Sequence, residues 1–169
     1  MQRGSGYTIA RELKDLYSKD QIVDEAIRKT LSKLNAKSVP TGKYNVIFSE
    51  CAAVSLWQIF AGAISGGALY RRSSFLCDKL NEQIFPEYVT IHEDPFIKKS
   101  IGARCYDADG VRVSAADINK KGVLQEYLLG TYSARKLNLK SNGHASGIHN
   151  WFISFGADRE YDFDALLNK

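Results

Sequence analysis

Residues Trp57–Leu76 constrain this chain more than any other stretch. From Cys51 to Ile64 there is no charged residue, and apolar or small side chains go nearly all the way round a helix. A helix of that composition is expected to be buried on most of its faces. Ser49 is placed to cap its start, and Ala52, Ala53, Ala61, Gly62 and Ala63 leave room for close backbone approach. Gly66-Gly67 ends it, and the chain emerges as Arg71-Arg72-Ser73-Ser74, the kind of polar group a site would use. The residues beyond Leu76 are expected to form strands and loops laid against this helix.

Upstream, Ser18-Lys19-Asp20-Gln21 has the form of a capping box. Ile22, Val23, Ala26, Ile27, Thr30, Leu31 and Leu34 then fall on one helical stripe, with Lys29, Lys33 and Lys37 toward the end and Pro40 and Gly42 as the stop. That is a one-sided surface helix. Residues 1–17 carry little pattern; Tyr7 to Leu13 fits a strand end or the start of a short helix. Lys43-Tyr44-Asn45-Val46-Ile47-Phe48 reads as a strand.

Downstream, a second short helix is expected to carry Phe75, Leu76 and Leu80. Glu87 to His92 alternates as a strand that ends at Glu93-Asp94-Pro95. Tyr106 to Val113 and Ile118 to Leu124 read as turns between strands. A strand from Val123 into Leu129, a short helix through Ser133–Leu137 and a loop over Ser141–Gly147 come next. Trp151, Ile153 and Phe155 alternate as a half-buried strand, and a helix starts at Asp162. The pattern is that of an α+β fold, a mixed or antiparallel sheet with packed helices. It forms a single segment, with a helical lead-in over 1–40 and an α+β region over 41–169.

A chain of 169 residues is long enough to bury a core. Its net charge of +4 is spread along the chain, so no direct nucleic-acid partner is expected. Cys51, Cys77 and Cys105 are far apart and odd in number, which suits reduced thiols in the cytoplasm. The longest apolar run, Val54 to Ile64, is too short to span a bilayer.

Asp107, Asp109 and Gly110 suggest a calcium loop, but that register puts Cys105 and Ala116 where carboxylates or amides are needed. A turn held by Asp side chains is the better reading. His144 and His149 are five apart in a glycine-rich loop, without the helix or glutamate of HExxH. A metal there needs a third ligand from elsewhere; otherwise the histidines hydrogen-bond the backbone. Gly62 to Gly67 fits neither nucleotide-binding glycine pattern. Ser73 and Ser74 have no sequence-adjacent base, so they are expected to cap the helix at Phe75.

Several segments taken together resemble the TldD/PmbA family of bacterial proteins, specifically its PmbA (TldE) branch. They are Thr41 to Phe48, Gly62-Ala63-Ile64-Ser65-Gly66-Gly67, Tyr70-Arg71-Arg72-Ser73-Ser74-Phe75-Leu76 and Asp107-Ala108-Asp109-Gly110-Val111. Gly122-Val123-Leu124, Tyr132-Ser133-Ala134-Arg135-Lys136-Leu137, Gly143-His144-Ala145 and Gly147-Ile148-His149-Asn150-Trp151 continue in the same order.

The resemblance implies a relation to metal-dependent peptidases. In the TldD branch a helix carries HExxxH, whose histidines bind zinc and whose glutamate acts as base. Alignment from Gly66-Gly67 and Phe75 puts Trp57 and Gln58 at the His-Glu pair and Gly62 at the second histidine. Indole, carboxamide and hydrogen can do none of that chemistry. The resemblance therefore implies a subunit without zinc or catalytic residues of its own, paired with a zinc-bearing TldD-like partner.

Such complexes are linked to leader-peptide removal and to degrading unfolded polypeptides. A peptide substrate would add as a strand along a sheet edge, with Arg71, Ser73, His144 and His149 as expected channel residues. Family members are several times longer than the matched region, which implies part of a larger PmbA-like fold, a fragment or a shortened homologue. Open edges make self-association an expectation. Two alternatives stand beside this reading. One is an autonomous zinc peptidase using His144, His149 and a cysteine. The other is a non-enzymatic module binding a regulator such as a topoisomerase, since the family was once described as gyrase modulators.

Overall fold

The computed structural model describes residues 1–156 and 165–166. The helix expected from Asp162 falls largely outside them. The chain divides into two compact units, Met1–Val46 with Lys99–Ile101, and Ile47–Lys98 with Gly102–Lys169.

The first unit is built on α1, Lys19–Leu31. Its capping box forms as the sequence suggests: Gln21 N–H donates to the Ser18 hydroxyl, and Ser18 N–H donates to the Gln21 carbonyl oxygen at 2.8 Å. The N-terminal segment, nearly featureless in sequence, runs against this helix. A Cβ on Gly6 would lie 2.2 Å from the Ile22 carbonyl oxygen, and one on Gly4 would lie 2.5 Å from that of Ala26. These two glycines let backbone pass over backbone. No strand or long helix forms there; a single 3-10 turn spans Leu13–Asp15.

The second unit holds a four-stranded antiparallel sheet, order β3-β2-β1-β4, with β1 Thr90–Glu93, β2 Ala116–Lys120, β3 Val123–Leu124 and β4 Trp151–Ser154. Helices α2 (Glu50–Ala63), α3 (Gly66–Tyr70) and α4 (Thr131–Lys136) complete it. The fold class is α+β, with an antiparallel sheet. Ile64, Ile91, Ile118 and Leu124 are wholly buried at its centre, joined by Leu69, Leu76, Val89, Leu128 and Leu129. Leu128 N–H donates to Ile64 O, and Gly66 N–H donates to Leu128 O, so the α2–α3 junction is stitched to the core. Gly66 is needed there because an added Cβ would meet the Ser133 hydroxyl at 2.2 Å.

Several expectations need correction: Gly66-Gly67 opens α3 rather than ending the preceding helix, which stops at Ala63, and the strand expected from Val123 into Leu129 ends at Leu124. Helix α2 is not buried on most faces: Phe60 alone is buried, Trp57, Ala61 and Ala63 pack in part, and Val54, Leu56 and Ile59 are exposed. Among the described residues, only one flank of the helix meets the rest of the unit. Lys43–Phe48 is not a strand, because among the described residues nothing pairs with it; Phe48 instead lines an open apolar groove with Leu56, Ile59 and Phe75. Phe75–Leu80 is not a helix. Arg72, Asp78 and Asn81 have positive φ, which no α-helix accommodates, and the turns are pinned by Tyr127, whose hydroxyl donates to Leu76 O and accepts from Lys79 N–H. Finally, the strand expected over Glu87–His92 starts at Thr90, after a turn closed by Val89 N–H on Pro86 O, and includes Glu93.

The Ile118–Leu124 hairpin, the α4 segment and the 151–154 strand lie where the sequence indicates.

Candidate functional site

Strand β1 points Ile91 and Glu93 to the interior, continuing from the buried Val89 just before it, so its last inward position is a carboxylate where an apolar side chain would be ordinary. Burying a carboxylate is costly unless donors converge on it. Here three do. Glu93 faces Trp151 across the β1–β4 pair, and the indole N–H donates to Oε2 at 2.5 Å. His149 backbone N–H donates to the same oxygen at 2.9 Å, and His144 Nε2 lies 2.7 Å from Oε1. Burial pushes the Glu93 carboxyl upward, but the hydrogen bonds and charge of the two histidines outweigh it and hold it below the usual range.

The loop delivering the histidines is fixed at several points. Asp107 accepts Ala145 N–H with Oδ2, while Oδ1 accepts Asp109 and Val111 N–H. Asp109 in turn accepts Thr131 N–H and hydroxyl, capping α4. Asp107 and Asp109 thus hold a turn, as the sequence suggests. Gly143 has φ +85, and a Cβ added there would lie 3.0 Å from Arg112 O and 3.1 Å from Val113 Cα, a combination that only glycine adopts without strain. Asn142 orders the first histidine: its Oδ1 lies 2.9 Å from His144 Nδ1 and also accepts Leu129 N–H. The second histidine places Nε2 3.1 Å from Gly143 O, and its Nδ1 has no hydrogen-bond partner. Burial lowers the His149 pKa below its ordinary value, against the pull of the Glu93 charge.

The two imidazoles sit with ring centroids 5.2 Å apart. Arg71 and Ser73 are not part of this cluster. They lie at the C-terminal end of α3, where Ser73 donates to Ala68 O and Arg71 lies over the Tyr70 ring. Both are exposed, whereas His144 and His149 are buried.

Glu93, His144 and His149 form the one group of three potential metal-ligating residues among those described, with ligand atoms within 4.8 Å of one another. The third member is thus a carboxylate from β1, not a cysteine; Cys51 and Cys105 are exposed and Cys77 lies against Leu69 O. Sequence reasoning missed Glu93. Its signal was the inward period-two register of Val89 and Ile91, which places it on the core face.

On α2, Trp57 packs against Phe60, Phe85 and Phe155, and Phe60 contacts Trp151. Gln58 and Gly62 are exposed, with nothing within 4 Å of a Cβ at Gly62. These three residues offer no zinc ligand and no base, so a zinc bound by an HExxxH helix does not fit here.

The family model described as the PmbA/TldA metallopeptidase C-terminal domain matches residues 41–169. Over 169 residues the chain is 45% identical to the Metalloprotease PmbA of Escherichia coli O157:H7, covering 100% of this chain and 37% of that protein. It is 41% identical to a Metalloprotease PmbA homolog of Haemophilus influenzae, covering 87% of this chain and 33% of the other. The chain therefore spans about a third of these relatives' length. Among solved structures, a Thermotoga maritima protein described as a modulator of a DNA gyrase aligns with a TM-score of 0.82 and 29% identity, over 98% of this chain and 39% of that one. TldE from Thermococcus kodakarensis shares the fold, at a TM-score of 0.58 and 21% identity, over 88% of this chain and 35% of that one.

Proposed function

The chain belongs to the PmbA/TldD metallopeptidase family, and from that premise we propose that it serves as the PmbA/TldE-like, non-catalytic half of a two-subunit metallopeptidase. The observation that supports this reading is α2 itself. At the positions aligned with HExxxH it carries Trp57, Gln58 and Gly62, of which the first joins an aromatic cluster and the others face outward. Zinc and the general base would come from a TldD-like partner. The substrate would be an extended peptide, a leader segment or an unfolded chain, held along a sheet edge. The proposed setting is the cytoplasm; among the described residues no helix is long and apolar enough to cross a membrane.

An autonomous zinc peptidase at His144 and His149 is the weaker reading. A catalytic zinc keeps a position open to substrate and water, whereas the side chains of Glu93, His144 and His149 are 0%, 3% and 0% exposed. Affinity capture with the protein at its natural length tests the proposal. A TldD-like protein bearing HExxxH is expected to be retained in stoichiometric amount; capture of a topoisomerase in its place would favour the modulator reading.

A further inference from the structure

Positive charge that is spread along the sequence is gathered by the fold. Helices α3 and α4 pack together, and with residues 71–74 they carry Arg71, Arg72, Arg135 and Lys136 and no Asp or Glu. Those four cations equal the whole chain's net charge of +4. Two acids bond to the margin of this surface. Asp78 is paired with Arg72 at 2.7 Å, and Asp109 accepts Thr131 N–H and hydroxyl at the start of α4. Among the described residues no carboxylate pairs with Arg71, Arg135 or Lys136, and all three are exposed. Two tyrosines orient the charges. Tyr70 of α3 meets Tyr132 of α4 edge to face, with ring centroids 5.7 Å apart. The Arg71 guanidinium lies 5.4 Å from the centre of the Tyr70 ring, and Lys136 Nζ lies 5.6 Å from that of Tyr132. An aromatic face attracts a cation through its quadrupole. Each charge is thus held in place before a ligand arrives, and less rotamer freedom is lost on binding.

We propose that α3, residues 71–73 and α4 form a docking surface for an acidic, extended peptide segment. Its carboxylates bind Arg71 and Lys136, and its aliphatic stems lie along Tyr70 and Tyr132. The planar guanidinium of Arg71 matches a carboxylate as a fork, and Lys136 acts as a point charge. A nucleic-acid strand fits this surface less well. It is held by a track of phosphate contacts and by bases stacked on open ring faces. Here the unpaired cations are few, and Arg71 and Lys136 sit on the tyrosine faces that a base would use. The choice of a peptide as occupant rests on the peptide-handling function proposed above, to which this surface adds the chemistry of the peptide.

Fluorescence anisotropy with the natural-length protein, without zinc or a partner subunit, tests it. The probes are a labelled peptide alternating Glu and Gly, the same peptide with Gln in place of Glu, and a labelled oligothymidylate of the same charge as the acidic peptide. The acidic peptide is expected to bind, with affinity that falls as salt is raised. The Gln peptide is expected to bind about 5-fold more weakly or worse. Combining Arg71→Gln with Lys136→Gln, both at exposed positions, is expected to abolish that preference, whereas Lys120→Gln on β2 leaves it unchanged. Equal affinity for the two peptides, no binding of either, or a preference that survives in the folded double variant overturns the proposal. Tighter binding of the oligothymidylate, lost in the same variant, overturns it in favour of nucleic acid. Turnover with a TldD-like partner is a separate measurement, so this surface and the partner-subunit reading can each fail while the other stands.

Discussion

Glu93 on β1 is 0% exposed, whereas Ile59 on α2 is 65% exposed. Each lies where the other's chemistry would be expected. The carboxylate is tolerated inside because Trp151, His149 and His144 converge on both of its oxygens. The apolar flank of α2, with Val54, Leu56 and Ile59 exposed beside Phe48 and Phe75, has no such local satisfaction. Contiguous apolar surface of that kind marks a place where other protein packs. The buried carboxylate is thus satisfied by this chain's own residues, and among the described residues the apolar exterior is not covered.

Removing the carboxylate strikes that contrast hardest. Glu93→Ala leaves the Trp151 indole, a backbone N–H and His144 without their acceptor. Breaking a buried pair of this type is expected to lower stability by about 3–5 kcal/mol in denaturant titrations. Phe60→Ala, inside the aromatic cluster, is expected to cost about 3–4 kcal/mol, whereas Ile59→Ser one position away should stay within about 0.5 kcal/mol. Equal losses at Phe60 and Ile59 would break the distinction between the two flanks of α2.

Acid should weaken the polar interior in two stages. The His149 pKa in the folded state lies below its ordinary 6.5, so its contribution is full above that value and is lost as pH falls through the folded pKa. Glu93 lies below its ordinary 4.5, so its contribution is likewise full above that value and is lost at lower pH. In both windows the unfolded chain binds more protons, and stability rises with pH. Denaturation midpoints followed downward from neutral pH should fall in both windows, with the upper stage absent in His149→Gln.

The smallest effect concerns Gly62. It is helical, exposed and free of neighbours within 4 Å of a Cβ, so Gly62→Ala should stabilise by about 0.5–1 kcal/mol, read as a raised Tm. A loss would mean that the apparent open space is filled in the assembled protein.

The sequence revealed those features that local chemistry controls. The Ser18 capping box, the Lys121-Gly122 turn, the Asp107 turn and the α4 segment all rest on contacts within a few residues. Helix α2 was legible as a helix but not in its exposure, since composition cannot say which faces find a neighbour. The 75–80 segment failed because Arg72, Asp78 and Asn81 adopt positive φ without being glycine. At the candidate site the two histidines stood out, but Glu93 is 51 residues from His144 and meets it only where the 141–147 loop folds onto the end of β1. Long-range convergence of that sort leaves a single trace in sequence, the inward register of β1.

Hydrolysis of an extended fluorogenic peptide, with zinc present, tests the central claim that this chain is the non-catalytic half. The expected result is no turnover by the protein alone and turnover once a TldD-like partner with an intact HExxxH is added. Turnover by the protein alone, abolished in a folded His144→Gln variant, would contradict it.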